Sequence, residues 1–231
     1  LKELSAIYPM VFHCVGFNLG SVDSLDRNYL SKIKKLADEF NPAWISDHLC
    51  FCGSGGHYSP DLLPISHNKK MLKLIAEKIH RIMDFLQCPF LVENVSYYVK
   101  FKDAEFTEEE FLYELALLTD CHILLDVNNL YVNGKNHVFD PYRAFLKLPI
   151  ERIKQMHMAG HTDYGSHIVD THAEPIAESV FNLFRKIIKK TGKLPVCVER
   201  DENIPPFSEI KKEMKLLEKT CLSVENDIVL V

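Results

Sequence analysis

The sequence predicts an α/β fold in which parallel strands alternate with helices, and two observations carry that reading. Short apolar runs alternate with longer amphipathic ones from end to end, the pattern of βα units around a parallel sheet. Each of six strand-like runs also ends in a residue of metal-ligand type: His13, His48, Glu93, Asp126, His157 and Glu199. A barrel of parallel strands, whose carboxyl ends converge on one face, would gather those residues around a common centre.

The elements follow in order. A first strand, Met10-Val11-Phe12, ends at His13, and a turn over Gly16 to Ser21 leads to a helix from Asp23 to Phe40 with Leu25, Tyr29, Leu30, Ile33, Leu36, Ala37 and Phe40 at helical spacing. Pro42 ends it. The second strand is Ala43 to His48. The segment after it, Cys52-Gly53-Ser54-Gly55-Gly56-His57, is glycine-rich and reads as a mobile loop, expected to act as a lid over the site. A helix from Asn68 to Leu86 leads to the strand Pro89 to Val92, ending at Glu93-Asn94. Thr107 with Glu110 makes a capping box for a helix reaching Leu118. The fourth strand, His122 to Asn129, is apolar until Asp126, as a strand covered on both faces should be. Asp140-Pro141 opens a short helix, and Arg152 to Met156 delivers His157. A polar loop then carries Asp170 and His172, a helix from Glu174 to Lys190 is closed by Gly192, the strand Leu194 to Val198 ends at Glu199-Arg200-Asp201, and Pro205-Pro206 starts a last helix, Phe207 to Lys219.

At 231 residues and 47% hydrophobic the chain is expected to form a single domain over residues 1–231. Net charge is -5, and Lys32-Ile33-Lys34-Lys35, Lys69-Lys70 and Lys189-Lys190 read as solvated helix faces, which argues against a nucleic-acid partner. No apolar run approaches the roughly 20 residues of a membrane span, and Leu1-Lys2-Glu3-Leu4 does not read as a signal peptide, so a cytoplasmic protein is expected. The seven cysteines form no C-x-x-C pair, which argues against a disulfide framework; Cys88, Cys121 and Cys197 read as small buried hydrophobes.

With 32 Asp and Glu and 11 His in the chain, six such endings in six strands have a chance on the order of one in several hundred, at the very edge where a barrel builds its site. Asn129, Asp170 and His172 extend the candidate donors to nine. One ion that keeps positions open for substrate takes about three or four protein ligands, so the set suits about two or three ions. His48 after Ser46-Asp47 read alone is equally a capped loop histidine, and Glu199-Arg200-Asp201 equally an exposed ion-pair cluster. Their shared placement is what favours ligation. His57, His67, His80, His122, His137 and His167 lack that placement and read as surface or core histidines; His161 reads as a group beside the site or facing substrate.

The stretches His13 with Gly16-Phe17-Asn18-Leu19-Gly20-Ser21, Ser46-Asp47-His48, Glu93-Asn94-Val95-Ser96, Leu125-Asp126-Val127-Asn128-Asn129, His157-Met158-Ala159-Gly160-His161, Asp170-Thr171-His172 and Glu199-Arg200-Asp201 together resemble the successive motifs of the multinuclear non-heme iron-dependent oxidases, the family whose best-known member makes methanobactin. The resemblance runs from about Tyr8 to about Phe207. It implies a TIM-like barrel holding two or three irons and acting with O2 on cysteine in ribosomally made peptides. Position by position, it implies His13, His48, Glu93, Asp126, Asn129, His157, Asp170, His172 and Glu199 as metal ligands. Glu93 is then expected to bridge two ions, and Asp201 to orient a ligand. Members of that family have a further strand and helix before the counterpart of His13, whereas this chain opens within what reads as the preceding helix, Leu1 to Ile7; the first strand–helix unit is lacking or not shown in this sequence.

The function expected is therefore that of an iron-dependent oxidase whose partner is a cysteine-containing peptide, delivered alone or by a peptide-presenting protein. The same ligand types serve zinc- or manganese-dependent hydrolases and isomerases of the sugar-isomerase and endonuclease-like barrels. A non-catalytic metal-binding module is the third reading.

Overall fold

The computed structural model describes residues 1–226, with side chains through residue 223, in two units, Leu1–Leu124 and the described residues from Leu125 onward. The first unit contains a short helix α1 (Lys2–Ser5), β1 (Phe12–His13), α2 (Arg27–Phe40), β2 (Ile45–His48), β3 (Phe51–Ser54), β4 (His57–Leu63), α3 (Lys69–Leu86), β5 (Phe90–Glu93), α4 (Glu108–Thr119) and β6 (His122–Asp126), whose last two residues already belong to the second unit. Strands β1, β2, β5 and β6 pair in parallel in that order. The register sets His13 opposite Ser46, and His48 opposite Glu93. Level strand ends are the reason residues far apart in sequence share one edge.

Each helix has a physical start and stop. The Asp26 side chain accepts from the Asn28 and Tyr29 amides and begins α2 four residues later than periodicity alone implies. Asn41, with φ 45°, ends it in the left-handed conformation. Asn68 caps α3, whose Leu72, Ile75, Ile79, Ile82 and Leu86 are buried at helical spacing. Burying that stripe contributes on the order of 10 kcal/mol before chain entropy is subtracted. Thr107 and Glu110 form the expected capping box of α4.

The glycine-rich segment after β2 is not an open loop. Strands β3 and β4 form an antiparallel hairpin, with Ser54 opposite His57 and Gly55-Gly56 as its two-residue turn. Both glycines have positive φ, 59° and 81°, as the tight hairpin turns that match strand twist require.

The second unit contains α5 (Val127–His137), α6 (Pro141–Phe145), a 3-10 turn (Ile150–Arg152), β7 (Ile153–Met158), β8 (His161–Asp163), β9 (Ile168–Asp170), α7 (Glu178–Thr191), β10 (Val196–Val198) and α8 (Phe207–Asn226). Strands β7 and β10 are parallel, with His157 opposite Cys197. Two expectations need correction here. The fourth strand stops at Asp126 rather than Asn129, because the Asp126 carboxylate accepts the Asn129 amide at 2.6 Å and opens α5 immediately. The polar loop after His161 is an antiparallel ribbon of β8 and β9. Gly160 joins β7 to β8 where an added Cβ would run into the backbone of Glu174 and Pro175. Only glycine lets those two segments pass so closely.

All seven cysteines are free. Cys121 is buried as expected, but Cys88 is half-buried and Cys197 exposed, since strand alternation turns Cys197 away from the core. Among the described residues no helix is long and apolar enough to cross a membrane.

Candidate metal centre

In the first unit, β1, β2 and β5 bring His13, His48 and Glu93 together, with one ligand atom of each within 4.8 Å of the others. Glu93 Oε2 lies 3.2 Å from His13 Nε2 and 3.3 Å from His48 Nε2, and the two Nε2 atoms are 3.3 Å apart. Neighbouring groups decide what those nitrogens carry. Ser46 Oγ donates its one proton to the Phe12 carbonyl, so at 2.8 Å it accepts from His13 Nδ1–H. His48 Nδ1 lies 3.3 Å from Asp47 Oδ1, a carboxylate oxygen that can only accept, and so carries its hydrogen too. In the singly protonated tautomers that these contacts favour, both Nε2 atoms hold lone pairs and face a carboxylate oxygen. Three acceptors turned toward one another repel unless a cation lies among them, and the outward Nδ1–H contacts are those that orient metal-bound histidines.

Asp47 is held in turn. Its Oδ2 accepts the Phe17 amide at 2.7 Å and its Oδ1 the His48 amide at 2.6 Å. Burial, with Asp47's charge adding, pushes the Cys14 thiol up to about 12. The donors gathered in this group are imidazole nitrogen and carboxylate oxygen. Such donors suit iron, zinc or manganese better than copper(I).

In the second unit, the ends of β6, β7 and β10 bring Asp126, His157 and Glu199 together, again with ligand atoms within 4.8 Å. His157 Nδ1 is 3.2 Å from Glu199 Oε1, and its Nε2 is 3.1 Å from the Gln155 amide. An amide presents either a donor or an acceptor. With its nitrogen toward Nε2, as here, Nδ1–H faces Glu199; turned over, its oxygen takes Nε2–H and leaves Nδ1 as a lone pair for a cation.

Asp170 and His172 adjoin this trio. His172 Nε2 is 3.0 Å from Asp170 Oδ1, while its Nδ1 is 3.0 Å from Asp201 Oδ2 and 3.7 Å from Glu199 Oε2. Burial works against the charged ring, yet Asp170, Asp126 and Glu199 together push its pKa up to about 10. His172 sits at φ 50°, an uncommon conformation for a non-glycine residue. Its N–H is tied to the Gly160 carbonyl and its own carbonyl accepts the Asp201 amide. That backbone clamp holds the ring among its acidic neighbours.

Of the other sequence candidates, Asn129 lies buried in the first turn of α5, three residues beyond Asp126. His161 is on β8, half-buried, and burial lowers its pKa. His67, expected to be a surface or core residue, packs against Phe111 and belongs to neither group. Sequence reasoning missed Asn128, which is fully buried and donates to Asp170 Oδ1 at 2.7 Å. The available signal was a second amide directly after an apolar strand.

Imidazoles and carboxylates on parallel strand ends make candidate metal sites on an α/β fold. That fold is TIM-like, as solved structures show. Endonuclease IV from Thermus thermophilus matches with TM-score 0.64 at 16% identity, covering 96% of this chain and 79% of that one. An L-ribulose 3-epimerase matches with TM-score 0.64 at 11% identity, covering 99% and 80%. The chain itself belongs to the family described as RiPP precursor modification enzyme MbnB/TglH/ChrH, whose model matches residues 1–221. A UPF0276 protein of Anaeromyxobacter sp. (strain Fw109-5) is 40% identical over 215 residues, 93% of this chain and 76% of that protein.

Proposed function

We propose that this protein is a multinuclear non-heme iron oxidase that acts with O2 on cysteine residues of a ribosomally made peptide. What supports it is the inward turn of the His13 and His48 lone pairs onto Glu93, in a family of peptide-modifying enzymes. Iron bound at these donors supplies the redox couple through which O2 oxidises a cysteine side chain.

The protein's own residues do the rest. Ser46 and Asp47 aim the two imidazoles, and Glu93 brings a buried negative charge to them. In the second unit Asp126, Asn129, His157, Asp170, His172 and Glu199 make the other donor set. Asp201, 74% exposed at its side chain, places a carboxylate oxygen 3.0 Å from His172 Nδ1. His172 Nε2, 3.0 Å from Asp170 Oδ1, would have to give up its proton to hold a cation there. The seven free thiols suit a reducing cytoplasm, and a partner protein presenting the peptide is compatible with this reading.

The test is metal analysis and Mössbauer spectroscopy of anaerobically purified protein, followed by oxygen uptake with a panel of synthetic cysteine-containing peptides. Two or three irons per chain, roughly, and peptide-dependent uptake are expected. Stoichiometric zinc with no oxygen consumption overturns the proposal in favour of a hydrolase or isomerase.

A further inference from the structure

Asn128, Tyr131 and His161 form a group in the second unit to which metal ligation assigns no task. Asn128 Nδ2 donates to Asp170 Oδ1 at 2.7 Å, and a carboxylate only accepts. The orientation of that amide is therefore settled, and its Oδ1 faces His161 Nδ1 at 2.8 Å. An amide oxygen also only accepts, so His161 Nδ1 carries the hydrogen and Nε2 the lone pair. The ring stacks on Tyr131 with centroids 5.4 Å apart and planes at 27°. Among the described residues the Nε2 atom of this half-buried ring has no hydrogen-bond partner. That nitrogen is not among the buried, unsatisfied polar atoms, so its lone pair is open to water or to a ligand's donor.

We propose that His161 Nε2 is a substrate-recognition point beside Asp170 and His172, accepting a backbone N–H of the peptide, with Asn128 as the positioning residue that sets its tautomer. This rests on the peptide-modifying reading and adds a contact to it. An extended peptide offers backbone N–H donors regardless of its side chains, and a neutral acceptor on a ring braced by Tyr131 suits one of them. A cysteine thiolate, itself an acceptor, has no use for this edge. The contact grips the chain of the substrate, leaving its sulfur to the metal ligands.

Two measurements test it. In metal-free protein labelled with 15N-histidine, the His161 ring, assigned by its absence in H161F, should report hydrogen on Nδ1; in N128L, which removes the acceptor, the proton should move largely to Nε2. Affinity for the panel of synthetic cysteine-containing peptides should fall about tenfold in H161F and N128L, the loss of one hydrogen bond. H161Q, whose amide oxygen can accept, should recover part of it. Iron content of H161F and H161Q should match wild type, which separates recognition from metal loss. Hydrogen on Nε2 in the wild type, or equal peptide affinity in H161F and wild type, overturns the assignment while leaving the peptide-modifying reading intact. A wild type that binds no peptide overturns both.

Discussion

The two donor groups are assembled by different means. His13, His48 and Glu93 come from adjacent parallel strands whose register alone levels them, and each imidazole is pinned from behind by Ser46 or Asp47. The group in the second unit combines the ends of β6, β7 and β10 with a short ribbon and a residue at positive φ. It is also richer in carboxylates. The first group relies on sheet geometry and neutral imidazole, the second on backbone clamps and acidic charge. A single substitution should therefore do different damage in each.

The largest effect on metal is expected in the strand-built group. Glu93→Gln removes the carboxylate facing both imidazoles and should cost at least one metal equivalent by elemental analysis. His13→Gln should cost less, since His13 is the more exposed of the two histidines and His48 with Glu93 remains. Unchanged metal in E93Q would defeat the assignment of Glu93 as ligand.

The clamp-built group is vulnerable through its backbone instead. Gly160→Ala drives a methyl group into the Glu174 and Pro175 backbone and should destabilise the protein by about 2–3 kcal/mol. A urea midpoint equal to wild type would show that the connection between β7 and β8 yields freely.

Asp47→Asn sharpens the contrast by leaving every ligand in place. Both Asp47 oxygens accept backbone N–H groups, so one of these donors must face an amide NH2 in the variant. The His48 ring is then released, and metal affinity should fall by about 10- to 100-fold with His48 still present. Isothermal titration giving wild-type affinity would refute the role of Asp47.

The smallest effect concerns protons. Burial alone pushes His67, in the first unit, down to about 4, whereas the acidic neighbours of His172 push that ring up. The folded first unit keeps His67 neutral while the unfolded chain protonates it near pH 6.5. Stability from this residue is thus complete above about pH 6.5 and is lost as pH falls toward about 4. Urea titrations of wild type and His67→Phe at several pH values should differ in slope over that window, and parallel curves would exclude the effect.

Much of the fold follows from local rules that a sequence displays. The capping box at Thr107 depends on neighbours within a few residues, and the structure bears it out; the Asn68 cap and the buried stripe of α3 are equally local. Ligand-type residues at strand ends were legible for the same reason, because each strand announces its own end. Elements decided by longer-range contact were not. Asp126 turned a strand into a helix through one side-chain bond, and glycine pairing made a hairpin of an expected loop.

The sequence by itself determined which residues can ligate, which strands carry them and which family the motifs match. Tertiary structure alone decided which nitrogen of each imidazole faces inward, because that depends on hydrogen bonds such as Ser46 to His13, 33 positions away. It alone set Asn128 between Asp170 and His161, 42 and 33 residues distant. A proton's position on a ring is a property of the partner across the fold, and no local pattern encodes that partner.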